Sequence, residues 1–217
     1  MSIALSLGNN LTTGGVFTSS AVNNTSVTNV TDFASVPGGG VLKLLSTQTA
    51  SSDASISFTT GIDSTYETYL FKFINVHPSS DGAAFQFQGS TNGGSSYGVT
   101  ITSSNMRMYN KEDGTDTNWG ASTNFDLAQS TSYQSIIDNV GSDNDQGGSG
   151  ELFIYNPSST TFTKHFIATG CSGHATEYCY TNRVGGYFNT TSAVNAISFQ
   201  FDAGNIDSGI IKLYGVT

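Results

Sequence analysis

Tyr69-Leu70-Phe71-Lys72-Phe73-Ile74-Asn75-Val76 decides the fold class. Tyr69, Phe71 and Phe73 recur at a spacing of two, which in an extended chain puts three aromatic rings on one face. Leu70, Lys72 and Ile74 fall on the other face, so both sides of this strand are expected to be at least partly covered. No helix presents residues this way. Phe85 and Phe87 alternate with Gln86 and Gln88, which predicts one buried and one wet face. Near the end of the sequence, Ile197, Phe199 and Phe201 oppose Ser198, Gln200 and Asp202; Gly204-Asn205 then turns the chain into an apolar run over Ile210 to Val216.

Between these segments, short apolar runs separated by Gly, Ser, Asn or Asp predict strands at Tyr97 to Thr102, Met106 to Tyr109, Tyr133 to Ile137, Glu151 to Tyr155, Thr161 to Ala168 and Tyr178 to Arg183. No window sustains a helical apolar period, and a short turn around Asp126 to Gln129 is the only helical candidate. Composition agrees with this. Charged residues make up 11% and aromatic residues 12%, and 25 glycines with abundant Ser, Thr and Asn favour strands and tight turns. The expectation is an all-β domain over residues 41–217, a two-sheet antiparallel β-sandwich of jelly-roll-like form. Residues 1–40, polar and closed by Pro37-Gly38-Gly39-Gly40, are expected to form an extended N-terminal arm without a core of its own.

Sixteen acidic against seven basic residues give a net charge of −9, with no basic stripe to neutralise phosphates. Nucleic acid and anionic membranes are therefore not expected partners. The first residues, Met1 to Leu7, carry neither the basic nor the apolar region of a signal peptide, so synthesis in a cytoplasm is expected.

Candidate sites are few. His77, His165 and His174 are not at metal-motif spacing, and no Gly-x-Ser-x-Gly elbow accompanies the many serines. Cys171, His174 and Cys179 could be grouped around a metal, but a fourth ligand is missing, and two free buried thiols are the simpler reading in a reducing compartment. Asp138, Asp143, Asp145 and Glu151 lie around a glycine-rich loop without the calcium-loop spacing. Glu67, Glu112, Asp113, Glu151 and Glu177 are scattered, unlike the paired carboxylates of glycoside hydrolysis. No catalytic residue, metal ligand or cofactor is assigned, and an enzyme is not expected. The one ligand-binding candidate is Trp119 with Tyr109 and Asn118, an aromatic face flanked by an amide that suits a sugar ring.

Gly61-Ile62-Asp63-Ser64-Thr65-Tyr66 and the run Tyr69 to Pro78 resemble virion structural proteins of tailed bacteriophages, especially those of marine and aquatic bacteria. Gly185-Gly186-Tyr187-Phe188, Ala196 to Phe201, Gly204 to Gly209 and Leu213-Tyr214-Gly215-Val216 resemble the C-terminal module of the same proteins. The likeness spans roughly residues 41 to 217, leaves out the arm, and carries no catalytic residue. It implies a head-decoration or tail-fibre role in a virion. The expected partners are the major capsid protein or other virion subunits and further copies of the chain, a trimer being one common arrangement, with a host glycan as the alternative ligand.

Overall fold

The computed structural model describes residues 41–174 and 176–217, and the expected arm lies outside the described residues. Twelve strands are described: β1 (Leu42–Thr49), β2 (Ile56–Phe58), β3 (Thr68–Pro78), β4 (Ala83–Ser90), β5 (Ile101–Lys111), β6 (Thr117–Ala121), β7 (Gln134–Val140), β8 (Gly148–Tyr155), β9 (Lys164–His174), β10 (Tyr178–Phe188), β11 (Ala196–Phe201) and β12 (Ile206–Val216). They form two antiparallel sheets, one of eight strands in the order β1-β12-β3-β8-β9-β10-β5-β6 and one of four in the order β2-β11-β4-β7.

Without the β5-β6 and β9-β10 pairs, the remaining strands switch sheets along the chain except at the consecutive β4 and β7, and stand as β1-β12-β3-β8 facing β2-β11-β4-β7. That order is the doubly wrapped ribbon of a jelly roll. The two extra hairpins join the β8 side of one wall and double its width. The first and last strands are neighbours, with Leu42 opposite Val216 and Thr217 N–H donating to the Val41 carbonyl at 3.0 Å.

The sheets close on an aromatic core. Phe199 lies between them, its ring centroid 5.1 Å from Phe71, 5.2 Å from Phe73, 5.7 Å from Phe85 and 6.2 Å from Phe58, mostly edge to face. Such pairs add to the stabilisation that burial alone provides. Phe87 continues the layer toward Phe166 and Phe188. The predicted alternation holds at β3, where Tyr69, Phe71 and Phe73 are buried, and Leu70 on the other face is buried between its cross-strand neighbours Tyr214 and Phe153.

Three local expectations are corrected. Gln88 is fully buried, not wet: its Nε2 donates to the Thr131 and Ser132 carbonyls and its Oε1 accepts from Gly89 N–H. A paired amide can be buried at little net cost, so polarity alone did not assign its face. Tyr97 to Thr100 are not strand; Gly93 and Gly94 at positive φ (68° and 86°) turn the chain, and pairing starts only at Ile101. Among the described residues the one helical turn is a 3₁₀ turn at Thr123–Phe125, just before the segment expected, and the Asp126 carboxylate that follows it accepts Asn105 N–H at 2.6 Å.

Candidate functional site

The widened wall has two accessible faces, and strand register assigns every residue to one of them. On the inner face, the Arg107 row reads Gly170 (β9), Asn182 (β10), Arg107 (β5) and Gly120 (β6). The next row reads Ser172, Tyr180, Tyr109 and Asn118, and the last reads His174, Tyr178 and Lys111. Strand β7 crosses the first of these positions: Asp138 N–H donates to Asn182 Oδ1 at 3.0 Å, and Ser172 Oγ donates to the Asp138 carbonyl at 2.6 Å. Beyond β7 the four-stranded sheet ends, leaving Tyr109, Tyr178 and Tyr180 half-buried, with the Tyr180 hydroxyl meeting the Asn139 side chain of β7 at the sheet's edge.

These three tyrosines form one cluster. Tyr109 is 5.7 Å from Tyr178 and 5.5 Å from Tyr180, and Tyr178 stacks on Tyr180 at 5.7 Å. His174 packs edgewise on Tyr180 at 5.6 Å, its Nδ1 held by Thr176. Arg107 anchors the group: its guanidinium lies 5.7 Å from the Tyr109 centroid and 5.3 Å from that of Tyr180, a cation–π arrangement, while Nη1 reaches Asp138 Oδ2 at 2.6 Å. The Asp138 side chain is 3% exposed; burial raises its pKa and the Arg107 hydrogen bond and charge act against that rise.

The end of this surface is acidic. Lys111 is paired to Asp113 at 3.0 Å, and Asp113 is held down to about 2 first by its hydrogen bonds from the Thr115 hydroxyl and N–H and then by Lys111. Tyr178 Oη donates to Asp116 Oδ2 at 3.0 Å, which raises the phenol's pKa, and Glu112 N–H donates to the Glu177 carbonyl at 2.8 Å, joining the two hairpin ends.

The expected ligand platform is thereby divided. Tyr109 and Asn118 are directly opposite each other on the inner face, whereas Trp119 stands opposite Met108 on the outer face and is 74% exposed. Trp119 sits on a strand, not in a loop, because residues 117–121 pair with β5. Around it on the outer face lie Met106 and Met108, both substantially exposed, and the row Met108, Thr181, Cys171 crosses the sheet. Tyr178, Tyr180 and Arg107 were not among the candidates; the spacing Tyr178-Cys179-Tyr180 was the available signal, since it puts two phenols on one face.

The cysteines correct another expectation: both are exposed free thiols. Cys171 follows His165, Ile167 and Thr169 on the outward parity of β9, and Cys179 is its diagonal neighbour on β10. His174 belongs to the opposite parity, so it does not join them. The acids near the glycine-rich loop also diverge, with Asp138 paired to Arg107 and Glu151 opposite Lys72 in the sheet. Among the described residues, no group of three or more His, Cys, Asp or Glu side chains is placed to hold a metal ion. His77 Nε2 contacts the Asp143 carbonyl at 3.1 Å, and His165 lies 6.0 Å from the Tyr187 ring. No helix among the described residues is long and apolar enough to cross a membrane. No protein-family model, curated protein or solved structure matches the chain.

Proposed function

We propose that the chain is a structural subunit of a tailed-phage virion, a capsid decoration or cement protein that acts by binding and carries out no chemistry. The observation that carries this reading is the outer face of the widened wall. Trp119, Met106 and Met108 form a strip of large exposed side chains beside β6, an edge strand without a charged residue. Clustered apolar side chains on a sheet face, next to unpaired strand edge, fit a protein contact surface. The likeness of residues 61–78 and 185–216 to phage structural proteins supports the same role. Many copies that bind the assembled shell better than free subunits shift the equilibrium toward the shell.

Immunogold labelling of purified virions with an antibody against residues 41–217 tests the proposal. Gold over the head, lost when Trp119→Glu subunits are supplied in place of the native chain, is the expected result. Gold confined to the tail replaces decoration by the second reading, a receptor-binding module, which the half-exposed inner-face tyrosines favour. No gold on accessible particles overturns both.

A further inference from the structure

We infer that the inner-face surface made by Tyr109, Tyr178 and Tyr180 is a binding site for neutral saccharides. The inference deepens the receptor-binding reading, and it concerns a different face from the one that carries decoration. A pyranose ring has a C–H face that packs on aromatic rings and a rim of hydroxyls that needs donors and acceptors. Both are present here. The phenol rings supply flat apolar area, and Asn118, directly across from Tyr109, supplies an exposed amide whose NH2 can donate to a sugar hydroxyl while its Oδ1 accepts Trp119 N–H at 2.8 Å.

The platform is preorganised. Arg107, fixed by Asp138, lies against Tyr109 and Tyr180, while Asp116 holds the Tyr178 hydroxyl. Side chains already locked in place lose little rotamer freedom when a ligand arrives. There is also room: Gly120, across from Arg107 on the same face, has nothing within 4 Å of the position a Cβ would take.

Charge selects the ligand class. Both cations of the surface are committed, Arg107 to Asp138 and Lys111 to Asp113. The hairpin ends add Glu112, Asp116 and Glu177, all exposed. A uronate, sialate or sulfated sugar would meet this acidic rim without a free cation to pair with, so it is repelled. An uncharged hexose polymer is not.

Native affinity electrophoresis of the full chain tests this, in gels carrying β-1,3-glucan, mannan or galactan as neutral probes and alginate or heparin as acidic ones. Retardation by at least one neutral polymer is expected, with no retardation by the acidic pair. Tyr109→Ala and Tyr180→Ala should each weaken the interaction about tenfold. Tyr109→Phe should keep it, and circular dichroism of each variant separates a lost site from a lost fold. The lone tryptophan reports on the opposite face, so its emission should not change when the bound neutral oligosaccharide is added, and Trp119→Ala should bind normally. Three results each overturn the inference: no neutral polymer retards the chain, only acidic polymers do, or binding is lost in Trp119→Ala and kept in the tyrosine variants. Because the assay uses the purified chain, its failure leaves the location of the protein on the virion undecided, and gold over the head does not rescue it.

Discussion

Replacing Arg107 by alanine takes away the partner of a carboxylate that has almost no access to water. Asp138 is 3% exposed and receives the Arg107 guanidinium at 2.6 Å. Removing one member of a fully buried pair typically costs about 3–5 kcal/mol. Arg107 is itself 30% exposed, so water would enter and screen part of the orphaned charge, and the expected loss is about 2–3 kcal/mol at neutral pH. For a chain of this size that lowers Tm by roughly 5–10 °C. The pH dependence gives a second, independent readout. Burial already raises the Asp138 pKa and Arg107 opposes the rise, so Arg107→Ala should raise it further. A carboxyl with a raised folded pKa adds stability that is complete below the unfolded pKa and is lost as pH rises through the folded one. The gap between the native chain and the variant should therefore narrow as the pH is lowered from neutral to about 4. Thermal unfolding followed in the near-ultraviolet tyrosine band measures both. Adding Asp138→Asn to the variant should recover most of the loss and remove its pH dependence. A loss under about 0.5 kcal/mol at neutral pH, or a gap that does not change with acid, refutes the view that Arg107 stabilises a buried charge.

Phe199→Ala, at the centre of the aromatic layer, should cost about 3–5 kcal/mol in urea unfolding, and a loss near 1 kcal/mol would mean the sheets close over the cavity. Cys171 and Cys179 should both alkylate with iodoacetamide in the native state, and Cys171→Ser with Cys179→Ser should leave Tm nearly unchanged; thiols that label only in denaturant would contradict their outward placement. Lys164 is buried with its Nζ donating, among the described residues, only to the Phe162 and Thr190 carbonyls, at 2.9 and 3.1 Å, and desolvation lowers its pKa. Its unfolded state holds the proton more tightly, so the native chain should gain stability relative to Lys164→Met as the pH rises from neutral toward 10; a Tm difference that is constant over that range would count against it.

What could be read from the sequence was whatever depends on side-chain period. The side chains of Tyr69, Phe71 and Phe73, of Phe85 and Phe87, and of Ile197, Phe199 and Phe201 fall on the core face because alternation is a local property of an extended chain. Gln88 was misplaced because its face is decided by carbonyls of residues 131 and 132, far along the chain. Trp119 was joined to Tyr109 by nearness in sequence. The pairing that separates them is a hairpin register, and the sparse apolar content of Thr117-Asn118-Trp119-Gly120-Ala121 gives that register no local mark. The tyrosine surface exists only because β9-β10-β5-β6 extend past the edge of the smaller sheet. Nothing in a strand's own residues tells whether the opposing layer reaches it.

The place of β12 between β1 and β3 also constrains how the chain matures. A ribosome that has finished β3 must still make the residues from 79 to 216, an interval on the order of ten seconds, before β12 can fill the place between β1 and β3, although β8 covers the other side of β3 earlier. During that time Leu42, Leu44 and the rings of β3 belong to strands with an open hydrogen-bonding side, a combination that invites pairing with other nascent chains. Production should therefore be more sensitive to the rate of translation and to holding chaperones than the packing of the finished sandwich suggests, and the low-charge strands at both ends of the ladder are where misassembly would begin.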